Sequence, residues 1–264
     1  MKVFISSDIE GTAGITDWDE ALKNHPDYAE FRDYMTNEVI AACEGARAAG
    51  ASEVLIKDAH ETGRNLLIGR LPDYARVIRS WSGHPDSMMT GIDGTFDAAL
   101  YIGYHNKAGS ETNPLAHTFT STISKMWLNG ELASEFTINA HCAGRYGVRS
   151  AFIAGDHGIC ADARAMVPGI ETVETSIGLG PSTNSLTPAA SVKAIRAGVE
   201  AALTGKKGTT PAKAESYELV IEFTNPVLAY KGSFYPGVEH TAERTLRYTA
   251  KDFFDISRAL RFIK

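Results

Sequence analysis

Asp8 and Glu10 stand two residues apart, just after the apolar run MKVFIS. In extended chain, residues i and i+2 project to the same side, so both carboxylates can face one point. Carboxylates that close raise each other's pKa unless a cation lies between them. Gly11 and Gly14 follow and let the backbone turn away. A turn bearing two solvated acids is the plain alternative. A divalent cation explains more, because other apolar runs end in the same kind of residue. Asp58 and His60 follow VLIK, His105 follows LYIGY, and Asp156 and His157 follow FIAG.

Mixed carboxylate and imidazole donors suit zinc, with manganese or cobalt as chemical substitutes, whereas an all-oxygen set would suit magnesium or calcium. A single catalytic zinc takes about three protein ligands and keeps one position open. Asp8, Glu10, His60 and His105 already exceed that number, and Glu131 or Glu135 adds another. The surplus argues for two metals about 3.5–4 Å apart that share a carboxylate, with Asp8 central enough to be the bridge. His117 lies in SETNPLAHTFTS, outside any strand pattern. It is either an exposed loop histidine or, in a hydrolase, a group that meets developing charge or moves a proton. His25, His84, His141 and His240 lack a strand-end context and read as structural.

Positioning these residues requires strands whose ends share an edge. Residues 2–6, 53–57, 98–103 and 150–154 read as strands, with amphipathic helices over 35–49 and 132–143 among them. That alternation predicts an α/β fold, a mostly parallel sheet flanked by helices. In such sheets ligands bind beyond the carboxyl ends of the strands, where the acids and histidines fall. The texture changes after residue 168. GLGPSTNS reads as a loop, Thr187-Pro188 as the cap and first residue of a helix to about residue 203, and 204–214 as a polar linker. Strands over 217–223 and 245–249 and a closing helix over 252–262 complete the chain. The expected division is a metal-binding catalytic domain over 1–170 and a smaller C-terminal α+β subdomain over 171–264.

Composition narrows the class. Hydrophobic residues make up 44% and charged residues 22%, ordinary values for a globular protein. The net charge is −6 with no basic run, which argues against a nucleic-acid partner. No window approaches the roughly 20 apolar residues of a membrane span, and acids interrupt the opening apolar stretch before it could serve as a secretory signal. The three cysteines, Cys43, Cys142 and Cys160, are widely spaced and form no CxxC pair. They read as buried thiols, which suits the cytoplasm.

The segments SSDIEGTAG, VLIKDAH, ALYIGYHNKAG, LAHTFTS, ELASEFTINAHCAGRYG and SLTPAASVKAI together resemble the zinc-dependent D-aminopeptidase family associated with dipeptide transport. The similarity runs over nearly the whole chain. It implies that Asp8 bridges two zincs, that Glu10 and His60 complete one site, and that His105 and Glu135 complete the other. His117 matches the family's catalytic histidine, described there as a nucleophile; proton transfer or oxyanion stabilisation suits it better beside metal-activated water. SEF stands here where the family has GEL, and the spacing to INA favours Glu135 over Glu131. Substrates would be short peptides or amino-acid amides with a free N-terminal amine, with D-stereochemistry implied by the family alone. The family also implies a homo-oligomer, a ring-like decamer. The competing readings are another dinuclear amide or ester hydrolase and a non-enzymatic peptide-binding protein that retains the fold.

Overall fold

Two kinds of strand are visible in the burial pattern. AALYIGY over Ala98–Tyr104 is buried at every residue, as expected of a strand covered on both faces. YELVIEF over Tyr217–Phe223 instead alternates between buried and half-buried positions, the signature of a sheet covered on one face. The computed structural model, which describes residues Met1–Lys264, places them in different sheets.

The first sheet has seven strands. These are β1 (Lys2–Ser7), β2 (Glu53–Asp58), β3 (Ala75–Ile78), β4 (Ala98–Tyr104), β7 (Arg149–Asp156), β8 (Glu171–Leu179) and β9 (Ser182–Ser185), in the order β3-β2-β1-β4-β7-β8-β9. Every neighbouring pair is parallel except the β8–β9 hairpin. The second sheet is antiparallel, in the order β11-β12-β10-β5-β6, from β5 (Ile123–Leu128), β6 (Glu131–Leu132), β10 (Tyr217–Phe223), β11 (Val238–Ala242) and β12 (Thr245–Ala250).

Helices cover both faces of the parallel sheet. Val3 and Ile5 of β1 join a core with α2 (Tyr28–Ala48) and α5 (Pro188–Thr204). Phe4 between them faces a second core, shared with α3 (Glu135–Arg145), α4 (His157–Met166), α7 (Phe253–Ile263) and the antiparallel sheet. Each such fully buried side chain contributes about 1.5–3 kcal/mol. Helices α2 and α5 meet at backbone distance, since a Cβ on Gly45 would lie 2.4 Å from the Arg196 carbonyl oxygen. The short α1 (Trp18–Ala21) and α6 (Pro226–Gly232) complete the set.

The expected strands and helices recur with three informative differences. The helix expected from residue 132 begins at Glu135, because Glu131 and Leu132 pair with β5 and Ser134 supplies the cap by accepting from the Thr137 N–H. GLGPSTNS is the tip of the β8–β9 hairpin, turning at Gly180 with φ +62°, and not an open loop. A division near residue 170 does not coincide with the division between sheets: β8 and β9 extend the parallel sheet, while β5 and β6 pair with β10 in the other. Cys43, Cys142 and Cys160 are buried free thiols. No helix is long and apolar enough to cross a membrane.

Candidate metal centre

Strand order reverses between β1 and β4: the chain runs outward from β1 to β2 and β3 on one side, and from β4 to β7 and β8 on the other. Such a switch point opens a crevice at the carboxyl ends of the strands. Asp8 and Glu10 leave β1 there, His105 leaves β4, and His60 comes from the segment after β2. Glycine makes the approach close enough. A Cβ on Gly11 would lie 1.8 Å from the Tyr104 carbonyl oxygen, and one on Gly103, at φ +72°, would lie 2.3 Å from that of Asp8. The Gly11 N–H donates to the Gly103 carbonyl at 2.9 Å, locking the two exits together.

The six residues singled out from sequence converge here. Asp8, Glu10 and His60 form one compact donor group, and Asp8, His105 and Glu135 a second. The two oxygens of Asp8 divide between them: Oδ1 lies 3.3 Å from His60 Nδ1, and Oδ2 lies 3.5 Å from His105 Nε2. Glu10 Oε2 is 3.1 Å from His60 Nδ1, and Glu135 Oε1 is 3.5 Å from His105 Nε2. Glu135 is the first residue of α3, where the helix dipole favours a carboxylate. Glu131 is exposed on β6 and takes no part.

Backbone carbonyls set the histidine tautomers. His60 Nε2 bonds the Ala21 carbonyl at 2.9 Å, His105 Nδ1 that of Asn106 at 3.0 Å, and His117 Nδ1 that of Leu115 at 2.9 Å. A carbonyl only accepts, so those nitrogens carry the protons and the others turn toward the carboxylates. This is the usual outer shell of a metal-ligating histidine. His105 Nε2 and Glu10 Oε2 are buried without a hydrogen-bond partner. A buried polar atom left so costs about 1–3 kcal/mol, and more for a charged group. A cation between the ring lone pairs and the carboxylate oxygens removes that cost, so the residues fit a divalent metal, and the donor chemistry fits zinc.

Electrostatics agree. Burial alone would push His60 and His105 down, but Glu10 and Asp8 around the first and Glu135 and Asp8 around the second hold both well above the usual imidazole range. Burial likewise opposes ionisation of Asp8, yet the charged forms of His105 and His60 beside it would hold its carboxyl well below the usual range. The pocket therefore demands positive charge next to its carboxylates.

The other strand-end acids do a different job. Asp58 accepts from the backbone N–H of Asn65 and Leu66 and from Asn65 Nδ2, which also donates to the His60 carbonyl at 2.7 Å. Asp156 caps α4 and accepts from the Asn106 N–H and from Asn113 Nδ2, which reaches the Glu10 carbonyl at 3.1 Å. Both hold the loops that carry the donors. His157 instead pairs with Glu174 at 2.8 Å in an exposed position.

His117 lies beside the donor groups, its Nε2 3.6 Å from Glu135 Oε1 and 4.0 Å from Glu10 Oε1. Its side chain is 13% exposed, against 1–5% for His105 and His60, so it stands on the cavity side. Glu10, His105 and His117 form a third compact group. Trp18 packs edge-on against the His117 ring at 5.2 Å.

In front lies a cavity of about 660 Å³, lined by Asp8, Glu10, His60, His117 and Glu135 together with Trp18, Trp81, His84, Phe119, Arg261 and Lys264. The latter residues were not visible as site residues in the sequence, and His84 read as structural. They come from the start of α1, from loops and from the far end of the chain, with no spacing to link them.

Known proteins carry the same arrangement of chain. The family model for Peptidase M55, described as D-aminopeptidase, matches residues 1–262. A curated D-aminopeptidase of Bacillus subtilis (strain 168) is 30% identical over 263 residues, covering 98% of this chain and 95% of that protein. The solved structure of the Zn-dependent D-aminopeptidase DppA from Bacillus subtilis, described as a self-compartmentalizing protease, superimposes with a TM-score of 0.92. It is 29% identical, and the match covers 98% of this chain and 95% of that one. With the match running from the first strand through the last helix, the chain belongs to the Peptidase M55 family of D-aminopeptidases.

Proposed function

We propose that this aminopeptidase works with two zinc ions and removes single residues, of D-configuration, from the free amino ends of short peptides or amides. The observation that carries the reading is the division of Asp8, one oxygen toward His60 and the other toward His105. Asp8, Glu10 and His60 would hold one zinc, and Asp8, His105 and Glu135 the other. When bound, the pair acidifies water to supply the nucleophile and polarises the scissile carbonyl.

The remaining work falls to the chain. His117, oriented by the Leu115 carbonyl and Trp18, presents Nε2 to the cavity and meets charge developing on the carbonyl oxygen or passes a proton to the leaving amine. The Phe119 N–H, 2.6 Å from Glu135 Oε1, fixes that carboxylate against rotation. Trp18 and Leu22 give the cavity an apolar wall that sheds water around the reacting groups.

The D-preference rests on the family. Assembly that encloses the active sites is read from the relative described as self-compartmentalizing, and its form as a ring-like decamer from the family resemblance alone; exposed apolar side chains on and just after α6 and on α7 support it. Val227, Tyr230, Phe234 and Phe262 are 59–69% exposed there, and Tyr230 and Phe234 stack edge-on at 5.2 Å. Exposed large apolar side chains of this kind would suit a contact between subunits. Free buried cysteines suit a cytoplasmic setting.

Elemental analysis of the purified protein, together with hydrolysis of D- and L-aminoacyl amides, dipeptides and their N-blocked forms, tests the reading. It expects about two zincs per chain, cleavage of the D-series and no cleavage of N-blocked forms. Absence of stoichiometric metal after zinc addition, or a preference for N-blocked peptides, would overturn it.

A further inference from the structure

We propose that Lys264 and Arg261 form a subsite for the free C-terminal carboxylate of the peptide, so that the preferred substrates are unblocked peptides of very few residues. The inference rests on the aminopeptidase reading and adds to it the other end of the substrate.

The cavity lining carries both signs of charge. Asp8, Glu10 and Glu135 contribute its acids, and Arg261 and Lys264 contribute two cations to the same enclosure. Cations on this helix otherwise find acids: Arg258 pairs with Asp255 at 2.7 Å. Arg261 and Lys264 form no ion pair. Arg261 makes one long bond from Nε to the Gly83 carbonyl, 3.4 Å, which leaves its terminal nitrogens free. Lys264 Nζ lies 4.2 Å from the centre of the Phe119 ring, a contact that steadies an ammonium without neutralising it.

Phe119 also sets the spacing. Its N–H binds Glu135 Oε1 and its ring carries Lys264, so one residue separates the acidic donor group from the ammonium. Phe119 holds φ +62°, a left-handed conformation costly for an aromatic residue, and in it backbone and ring serve these two neighbours at once. An extended dipeptide or tripeptide spans about 7–11 Å at roughly 3.3–3.6 Å per residue. A peptide of that length, bound with its amino end at the acidic group, is the substrate such a subsite would take, since both sets of charges line one cavity. Arginine's fork suits a carboxylate geometrically, and the lysine adds a point charge.

The test compares a D-aminoacyl dipeptide with its C-terminal amide on the zinc-loaded parent and on Lys264→Gln, Arg261→Gln and the double variant. For the parent, KM for the free acid should be lower than for the amide by about tenfold, the worth of one charge-assisted hydrogen bond. Each variant should lose that discrimination through KM, with kcat little changed, and circular dichroism and zinc content should match the parent. Equal losses on acid and amide would mean a structural role, and unchanged discrimination would mean no role; either overturns the proposal. If the parent cleaves neither peptide, the aminopeptidase reading fails first. Calorimetric binding of the same acid–amide pair then decides the subsite, with no preference for the acid counting against it.

Discussion

His117 lies flat against His105, with ring centroids 4.2 Å apart and planes 8° from parallel. Both rings are oriented in the same way, by a backbone carbonyl at Nδ1, yet they differ in exposure. His105 turns Nε2 into the buried carboxylates, whereas His117 carries its Nε2 on the more exposed, cavity side. Stacking fixes the His117 ring without tying up its free nitrogen. That suits a group that acts on substrate.

His117→Ala should therefore keep its zinc and near-parent stability while kcat falls by about 10²–10³, the usual cost of losing an acid–base or oxyanion group. Zinc content and kcat measured on the same preparation check this. If zinc and activity fall together, His117 is a ligand alongside Glu10 and His105.

Asp8→Ala should lose both metals, because each oxygen of Asp8 faces a different donor group. Glu135→Ala and Glu10→Ala should each weaken one site more than the other, since neither carboxylate is shared between the two pairs in which Asp8 participates. Metal titration of the three variants distinguishes these patterns. Full metal content in Asp8→Ala removes the bridge.

Gly11→Ala should disrupt the centre without touching a donor. The added Cβ meets the Tyr104 carbonyl at 1.8 Å, and backbone on both sides leaves no flexible side chain to give way. Overpacking of this kind costs about 1–3 kcal/mol or more, so Tm should drop and zinc affinity weaken in the same variant. Gly14→Ala has room, with Phe31 at 3.8 Å, but sits at φ +94°, and its penalty should be confined to backbone strain. Equal Tm for parent and Gly11→Ala would contradict the close approach.

The centre was legible because parallel strands deliver their carboxyl ends to one edge, so Asp8, His60 and His105 could be matched by position alone. Sequence position could not separate acids that face the cavity from acids that hold a loop: Asp58 and Asp156 end strands just as Asp8 follows one, yet they accept backbone and amide N–H groups instead. The spacing to INA favours Glu135 over Glu131, and the physical reason is its place on α3, since a two-residue strand takes Glu131 out to solvent. The sheet division and the cations of the cavity rest on contacts between distant segments, such as Leu219 with Leu128 and Lys264 with Phe119. No local period records such pairings.

A buried acid outside the centre should give the protein a pH-dependent stability of its own. Glu38, on α2, accepts at Oε1 from the Ala13 N–H at 3.0 Å and from Ser191 Oγ at 2.7 Å, while Oε2 has no partner. Burial pushes its carboxyl up to about 7, against the pull of those two bonds. The folded state thus holds this proton more tightly than the unfolded chain, where a glutamate titrates near about 4.3. Below that value both states are protonated and Glu38 carries no penalty. Between the two values stability falls as pH rises, and above about 7 the full penalty, of order 3 kcal/mol, applies. Glu38→Gln keeps the oxygen that accepts both bonds and abolishes the charge. Its Tm relative to the parent should therefore rise by several degrees between pH 5 and pH 8, measured on metal-free protein so that the remaining groups titrate alike in both. A Tm difference that stays constant across that range would show that Glu38 does not ionise at the higher pH.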